Sequence, residues 1–420
     1  MQAGHQSQKI RRHDIDWLRV ILFGLLIPFH VAIGVYWSTY GTEVNPNIDE
    51  ISAGDRREFV EESNDYTAES VDFTSMVLHW LHSFRLAALF LISGFGTAFA
   101  FKRRTWQNFL EERVKRLLLP MFFGAWTMGF ASSVILGNED MSPIGLTFGF
   151  LFGIVWRSLV FWIPIFGKLV ALGHLWFLWN LFQYSLILTP IFHVVRKSPD
   201  GKMASFLRSP FKIPMGIGPL VVMPLLLTMT EVVFKPWFPG YIGVAYEYFW
   251  FLVFFAFGYM CIIAKEEYYA FIESKRVAIT VLTALWTVAF VWLRLEQHDS
   301  GIPYVDGGWL ENGILHDRMT LFACAIHSFH AWFWCLTIFS WGAYLLNRPS
   351  ESLAYLNRAV YPFYIVHMPL TFAGLRIASE VGLRDYSAVF VATAFVVLFC
   401  WVFFEGVRRT RATRFLFGIK

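Results

Sequence analysis

Arg19 and His30 are the only side chains that carry charge near neutral pH in the stretch Trp17 to Trp37, WLRVILFGLLIPFHVAIGVYW. An ionisable group inside so apolar a run is costly and by default functional. The expectation is that some chemistry within the membrane uses the imidazole. A hydrogen bond to a neighbouring helix is the plainer alternative. The two residues are eleven positions apart, about 16 Å along a helix and within about 20° of one face. Arg113 and Arg116 stand three apart in Arg-Val-Lys-Arg, just before another apolar run. Such a fork suits phosphate, because guanidinium presents paired donors. Anchoring by positive charge at the inner membrane surface explains the same pattern.

Further candidates follow along the chain. His79, His82 and Arg85 lie at helical spacing and allow one polar face towards a cavity. His174 and Trp176 open another apolar run in Gly173-His174-Leu175-Trp176-Phe177-Leu178, at a level that fits either substrate binding or the headgroup zone. His367 falls within an apolar helix, after Tyr361-Pro362-Phe363-Tyr364-Ile365-Val366. His327 and His330 form a three-apart pair that reads as packing or hydrogen bonding, and Glu405 reads as the partner of a basic residue. Ser93-Gly94 reads as a close helix contact. No metal is expected, since no third ligand at a recognisable spacing accompanies these histidines. Nucleotide-binding glycine motifs, a GxSxG elbow and HExxH are absent from the sequence, which disfavours ATP-driven pumps, ordinary serine hydrolases and zinc proteases.

The elements that must position these groups are membrane helices. The 420 residues are 56% hydrophobic and 16% charged, with 18 Trp and 45 Phe, too apolar for a water-soluble domain. Spans are expected near 17–37, 78–101, 117–136, 173–194, 217–234, 246–264, 277–295, 319–346, 358–378 and 386–405. Pro28 should bend the first of them just below His30. Residues 38–72 hold ten acidic residues against Arg56 and Arg57 alone, and read as an external loop. Residues 144–170 read as re-entrant or interfacial: a full crossing would put Arg196, Lys197, Lys202, Arg208 and Lys212 outside, against the positive-inside rule. The expected fold is therefore a single all-α polytopic membrane domain over 1–420. It has about ten transmembrane helices and both termini cytoplasmic, with the first helix a signal anchor. The four cysteines sit in apolar runs and read as packing residues.

Asp16-Trp17-Leu18-Arg19, then ten residues and His30, resembles the first-helix signature of the acyltransferase 3 membrane proteins. Leu91-Ile92-Ser93-Gly94-Phe95, Arg113-x-x-Arg116, His174-Leu175-Trp176-Phe177-Leu178 and Tyr361 to His367 follow in the order of that family. Glu405 and the terminal Phe415-Leu416-Phe417-Gly418-Ile419-Lys420 are similar to its branch that modifies periplasmic glucans, although the 38–72 loop is longer than that family leads one to expect.

The resemblance implies transfer of an acyl group, acetyl or succinyl, from cytoplasmic acyl-CoA to a carbohydrate hydroxyl outside a bacterial inner membrane. Arg19, Arg113 and Arg116 would meet the CoA phosphates, His30 and His367 would serve catalysis, and His79, His82, Arg85, His174 and Trp176 would hold the substrate. The partners expected are acyl-CoA, a carbohydrate acceptor and the lipid bilayer, with no nucleic acid.

A proton-coupled transporter of a small polar substrate is the competing class, because intramembrane His and Arg with Gly and Pro breaks suit it too. No inverted repeat and few acidic residues support it. A lipid-linked glycosyltransferase would want an external pattern of carboxylates, which the acidic loop does not supply. Acyl transfer from CoA by purified protein without an ion gradient separates the enzyme from the transporter.

Overall fold

The computed structural model describes residues 12–40, 73–136, 174–234, 245–299 and 318–419, and among them every regular element is helical. The acidic stretch 38–72 beyond Tyr40, and all of 144–170, lie outside the described residues. In chain order the helices are α1 Asp14–Gly24, α2 Leu26–Tyr40, α3 Phe73–Lys102, α4 Trp106–Arg113, α5 Leu119–Leu136, α6 Trp176–Lys197 and α7 Lys202–Lys212. They continue with α8 Met223–Phe234, α9 Ala245–Ile263, α10 Lys265–Ser274, α11 Arg276–Asp299, α12 Arg318–Leu345, α13 Glu351–Glu380, α14 Asp385–Val407 and α15 Arg411–Leu416.

Seven helices among the described residues are long and apolar enough to cross a membrane, or eight if the bent pair Tyr248–Ile263 and Lys265–Ser274 is one span. That pair turns through 99°. The chain is thus an integral membrane protein with multiple candidate spans, fewer by this measure than the ten read from sequence. The stretches 117–136 and 358–378 fall on α5 and α13, which are not among the seven. At 30 residues α13 is about 45 Å long, but its Arg358, His367, Arg376, Pro362 and Pro369 lower its hydropathy.

Burial separates an inner stave from the lipid-facing ones. In α3, 72% of the apolar window is buried, against 22% in the Arg276–Leu295 helix and 28% in α14. Val281, Leu285 and Val288 of α11 and Phe390, Leu398 and Trp401 of α14 are exposed, as lipid contact requires. The four cysteines are buried thiols that form no disulfide among the described residues.

α3 and α9 touch backbone to backbone at two glycines. A methyl on Gly94 would lie 2.1 Å from the Phe255 carbonyl oxygen, and one on Gly258 would lie 2.1 Å from that of Leu91. Small residues let membrane helices approach this closely, as expected for Ser93-Gly94. Gly94→Ala or Gly258→Ala should each destabilise the fold by about 1–3 kcal/mol through overpacking. The double variant should cost less than the sum, since the first methyl already separates the helices. Thermal unfolding in detergent measures both, and an unchanged Tm for Gly94→Ala would show that the two helices yield freely.

The first span runs as one helix with a single turn residue at Leu25, next to the Gly24 carbonyl that Pro28 has no N–H to meet. Leu25 N–H still donates to the Ile21 carbonyl at 2.9 Å and Phe29 N–H to the Leu25 carbonyl at 3.3 Å. The arginine and the histidine on this span meet different neighbours.

Candidate active site

His30, on α2, meets α13. His30 Nδ1 lies 3.0 Å from His367 Nε2, with the rings stacked 5.1 Å apart at 25°. His367 is buried and His30 half-buried. The other ring nitrogen of His367, Nδ1, is 2.6 Å from the Tyr364 carbonyl oxygen. A nitrogen facing a carbonyl must carry the proton, so in neutral His367 Nε2 is the acceptor. His30 then donates from Nδ1 and keeps a free lone pair on Nε2. That is the form in which an imidazole can take a proton or attack a carbonyl carbon.

α13 is shaped to assemble this group. Pro369 has no N–H, which frees the Ile365 carbonyl four residues earlier, and His174 Nε2 donates to that oxygen at 3.1 Å. Tyr364 O–H donates to the His174 carbonyl. The His174 ring stands edge-on to His367, with centroids 4.9 Å apart. On the opposite side, Phe29 stacks on His82 at 5.9 Å, and the Arg85 guanidinium lies 3.6 Å above the Phe29 ring. Arg85, His82 and His174 are all within electrostatic reach of His30. His82 is exposed and Arg85 is buried.

The arginines gather elsewhere along the same helices. Phe29 meets α3 at His82, whereas Arg19 lies over Gly96, where an added methyl would come within 3.7 Å of Nη2. The first span and α3 therefore run antiparallel. Arg113 donates from Nη2 to Thr97 Oγ1 at 2.9 Å, one residue on from Gly96. Twelve residues separate Arg85 from Thr97, about 18 Å along α3. Thr105 caps α4 through the Asn108 N–H, and a five-residue π-helical turn, Val114–Leu118, joins α4 to α5. This turn sends the two arginines to different partners. Arg116 pairs with Glu112 at 2.9 Å, and Glu112 also holds Arg104 at 2.8 Å. Arg113 instead lies 4.8 Å from the centre of the Phe109 ring. Burial pushes Arg113 down to about 10, opposed by Glu112, so it remains a cation at neutral pH. Tyr361 O–H donates to the Arg116 carbonyl at 2.5 Å, and Gly418 packs on Tyr361 and Pro120. Phe417 seats edge-on against Phe123 and Phe403. Arg19 itself pairs with Asp16 at 3.5 Å.

Of the residues singled out in the sequence, His30, His367, His174, His82 and Arg85 form one group, and Arg19, Arg113 and Arg116 lie at the Gly96–Thr97 end of α3. His79 lies one turn beyond His82, with Nδ1 2.8 Å from the Ser75 carbonyl oxygen. Trp176 joins the aromatic core instead, stacked on Phe251 and tilted against Phe90. Glu405 accepts from Tyr355 at 2.6 Å and pairs with Arg408 at 2.7 Å. His330 meets Ser83 at 3.1 Å and stacks on Phe290.

Sequence reasoning passed over Tyr364, Phe29 and Glu231. Glu231, 1% exposed, accepts from His327 Nδ1 at 3.1 Å and from Ser328 Oγ at 2.9 Å; Trp250 Nε1 donates to that hydroxyl at 3.1 Å. Its signal was available: it is the one carboxylate in the apolar run 217–234. Among the described residues no three His, Cys, Asp or Glu side chains converge as a metal site needs.

A family model described as an acyltransferase domain matches residues 12–405. Glucans biosynthesis protein C of Escherichia coli strain K12 is 23% identical over 98% of this chain and 95% of that protein. The proteins of that name from E. coli SMS-3-5 and E. coli O139:H28 are 23% and 22% identical over the same shares. No solved structure matches the chain.

Proposed function

Because the chain belongs to the acyltransferase 3 family of membrane proteins, we propose that it moves an acetyl or succinyl group from cytoplasmic acyl-CoA to hydroxyls of an extracytoplasmic glucan or other surface carbohydrate. Family membership implies acyltransferase activity; the donor, the acceptor and the residue roles are our reading. The His30–His367 pair carries it, with its free Nε2 deep in the bundle and the arginines about 18 Å further along α3. That separation is comparable with the reach of a CoA arm, so phosphates held by Arg19, Arg113 and Arg116 would leave the thioester near His30. The relatives' name supports a glucan as acceptor.

The chain is read as one domain of ten crossings in a bacterial inner membrane, with both termini cytoplasmic. A cysteine at Ser198 should label from the cytoplasmic side and one at Ser63 from the other. Labelling of Ser198 from outside would overturn the topology.

Mass spectrometry of cell-surface and periplasmic glycans, with and without the protein, tests the function. Loss of one acyl mass from one glycan is expected, and identical glycan spectra would overturn the reading.

Arg113 and Arg116 should differ in donor binding. Arg116 is half-neutralised by Glu112, whereas Arg113 has a hydroxyl and a ring for neighbours. Arg113→Ala should weaken CoA binding by about 1.5–3 kcal/mol, the worth of charge-assisted hydrogen bonds, and Arg116→Ala by less. Isothermal titration with CoA checks this; equal small losses would return both residues to membrane anchoring.

A further inference from the structure

Arg85 is the buried charge that the assignments above leave without an explanation. It is 2% exposed, on the most enclosed helix of the bundle. Its Nε and Nη1 have no hydrogen-bond partner. Among the described residues no carboxylate pairs with it; its neighbours are the face of Phe29 and the rings around His30. His30, His367 and His82 all feel its charge. A guanidinium held out of water normally has a counter-ion, since an uncompensated buried cation costs several kcal/mol. Here the surroundings are imidazoles and aromatic rings, which supply none.

We propose that Arg85 is the counter-ion for an anionic oxygen of the acyl group presented to His30. This rests on the acyl-transfer reading above.

Two oxygens have that chemistry. One is the thioester carbonyl oxygen. When the attacking atom bonds to the carbonyl carbon, the C=O π pair moves onto this oxygen. It returns as the C–S bond breaks and the CoA thiolate leaves with that bond's electron pair. The other is the distal carboxylate of a dicarboxylic acyl group such as succinyl, which is anionic throughout. Phe29 touches both residues: its ring centre is 3.6 Å from the Arg85 guanidinium and 5.5 Å from the His30 ring. An acyl group at Nε2 would share this aromatic wall with Arg85, and the two donors below decide which of its oxygens the cation meets.

The test uses full-length protein in lipid nanodiscs, a linear glucan oligosaccharide as acceptor, and acetyl-CoA or succinyl-CoA as donor, with free thiol release as the readout. Arg85→Gln should lower kcat by about 10²–10³-fold, the worth of one oxyanion donor, with KM for the donor little changed. Arg85→Lys, which keeps the charge but loses the planar fork, should recover part of the rate. A loss with both donors identifies the carbonyl oxygen; a loss confined to succinyl-CoA identifies the distal carboxylate. Wild-type rates from Arg85→Gln with both donors would overturn the proposal. So would a loss expressed wholly as raised KM together with weaker binding of unacylated CoA, which would assign Arg85 to the phosphates.

If the wild-type protein releases no thiol from either donor, the acyl-transfer reading has failed, and Arg85 is judged by binding alone. Millimolar acetate or succinate should then raise the Tm of the wild type and not that of Arg85→Gln. No difference between them overturns the anion site as well. Should Arg85→Gln not fold, Arg85→Lys carries the same comparisons, with a reduced rate expected and an unreduced one contrary to the proposal.

Discussion

His30→Gln should lower acyl transfer by about 10²–10⁴-fold, the range for losing a general base, and leave CoA binding intact. Glutamine keeps a donor for His367 Nε2 and a similar shape, so the helix contact survives. What disappears is the lone pair on Nε2, and with it both proton transfer and acyl carriage. Arg19, Arg113 and Arg116 are untouched, which is why donor affinity should hold. Parallel measurements of transfer rate and CoA affinity check the split. Near-normal transfer by the Gln variant would make His30 a structural hydrogen-bonder and pass the leading role to His367.

His367→Phe should produce a loss of similar size, about 10²–10⁴-fold, although His367 need not touch substrate. Its Nε2 fixes which His30 nitrogen holds the proton. Without that acceptor the His30 ring is free to rotate and to take the other tautomer, a change that can cost about 10⁴ in a serine protease. His367→Gln is the control, because its amide oxygen can accept from His30 Nδ1. That variant should stay within about tenfold of wild type. Transfer rates of the two variants side by side decide the matter. If Phe and Gln are equally inactive, His367 does more than orient its neighbour; if both are active, the pair is incidental.

Much of the candidate site was legible because membrane burial makes polar residues conspicuous. His30 and His367 each stand in an apolar helix, and Arg113 and Arg116 precede one. Their pairing was not legible. Residues 337 positions apart meet only once α2 and α13 pack together, and no local period encodes that. Two local signals were read incompletely. Pro28 and the Gly24 carbonyl announced a local irregularity, which the structure has as a single turn residue at Leu25. Pro369 was not connected with the Ile365 carbonyl that His174 uses. The three-apart spacing of Arg113 and Arg116 suggested one fork on a regular helix; the π-turn gives them separate partners. Trp176 shows the limit of residue type as evidence: the same indole suits a sugar, a headgroup or a core, and here it packs on Phe251. Among the described residues seven or eight helices are long and apolar enough to cross, against the ten read from sequence; α13 falls short because it gives up hydropathy to residues that build the site.

The hydrogen bonds linking His30, His367 and the Tyr364 carbonyl all point the same way, and this bears on where charge can travel. A conducting wire needs each member to receive a proton on one side and release one on the other. This line ends on a peptide oxygen, which is far too weak a base to store a proton and has no onward donor. It is a blind alley. A proton gathered at His30 Nε2 has to depart from that same nitrogen, on the side facing the reactants. Under the acyl-transfer reading, the arrangement would return each proton to the chemistry that supplied it, at the face of the pair where the reactants meet.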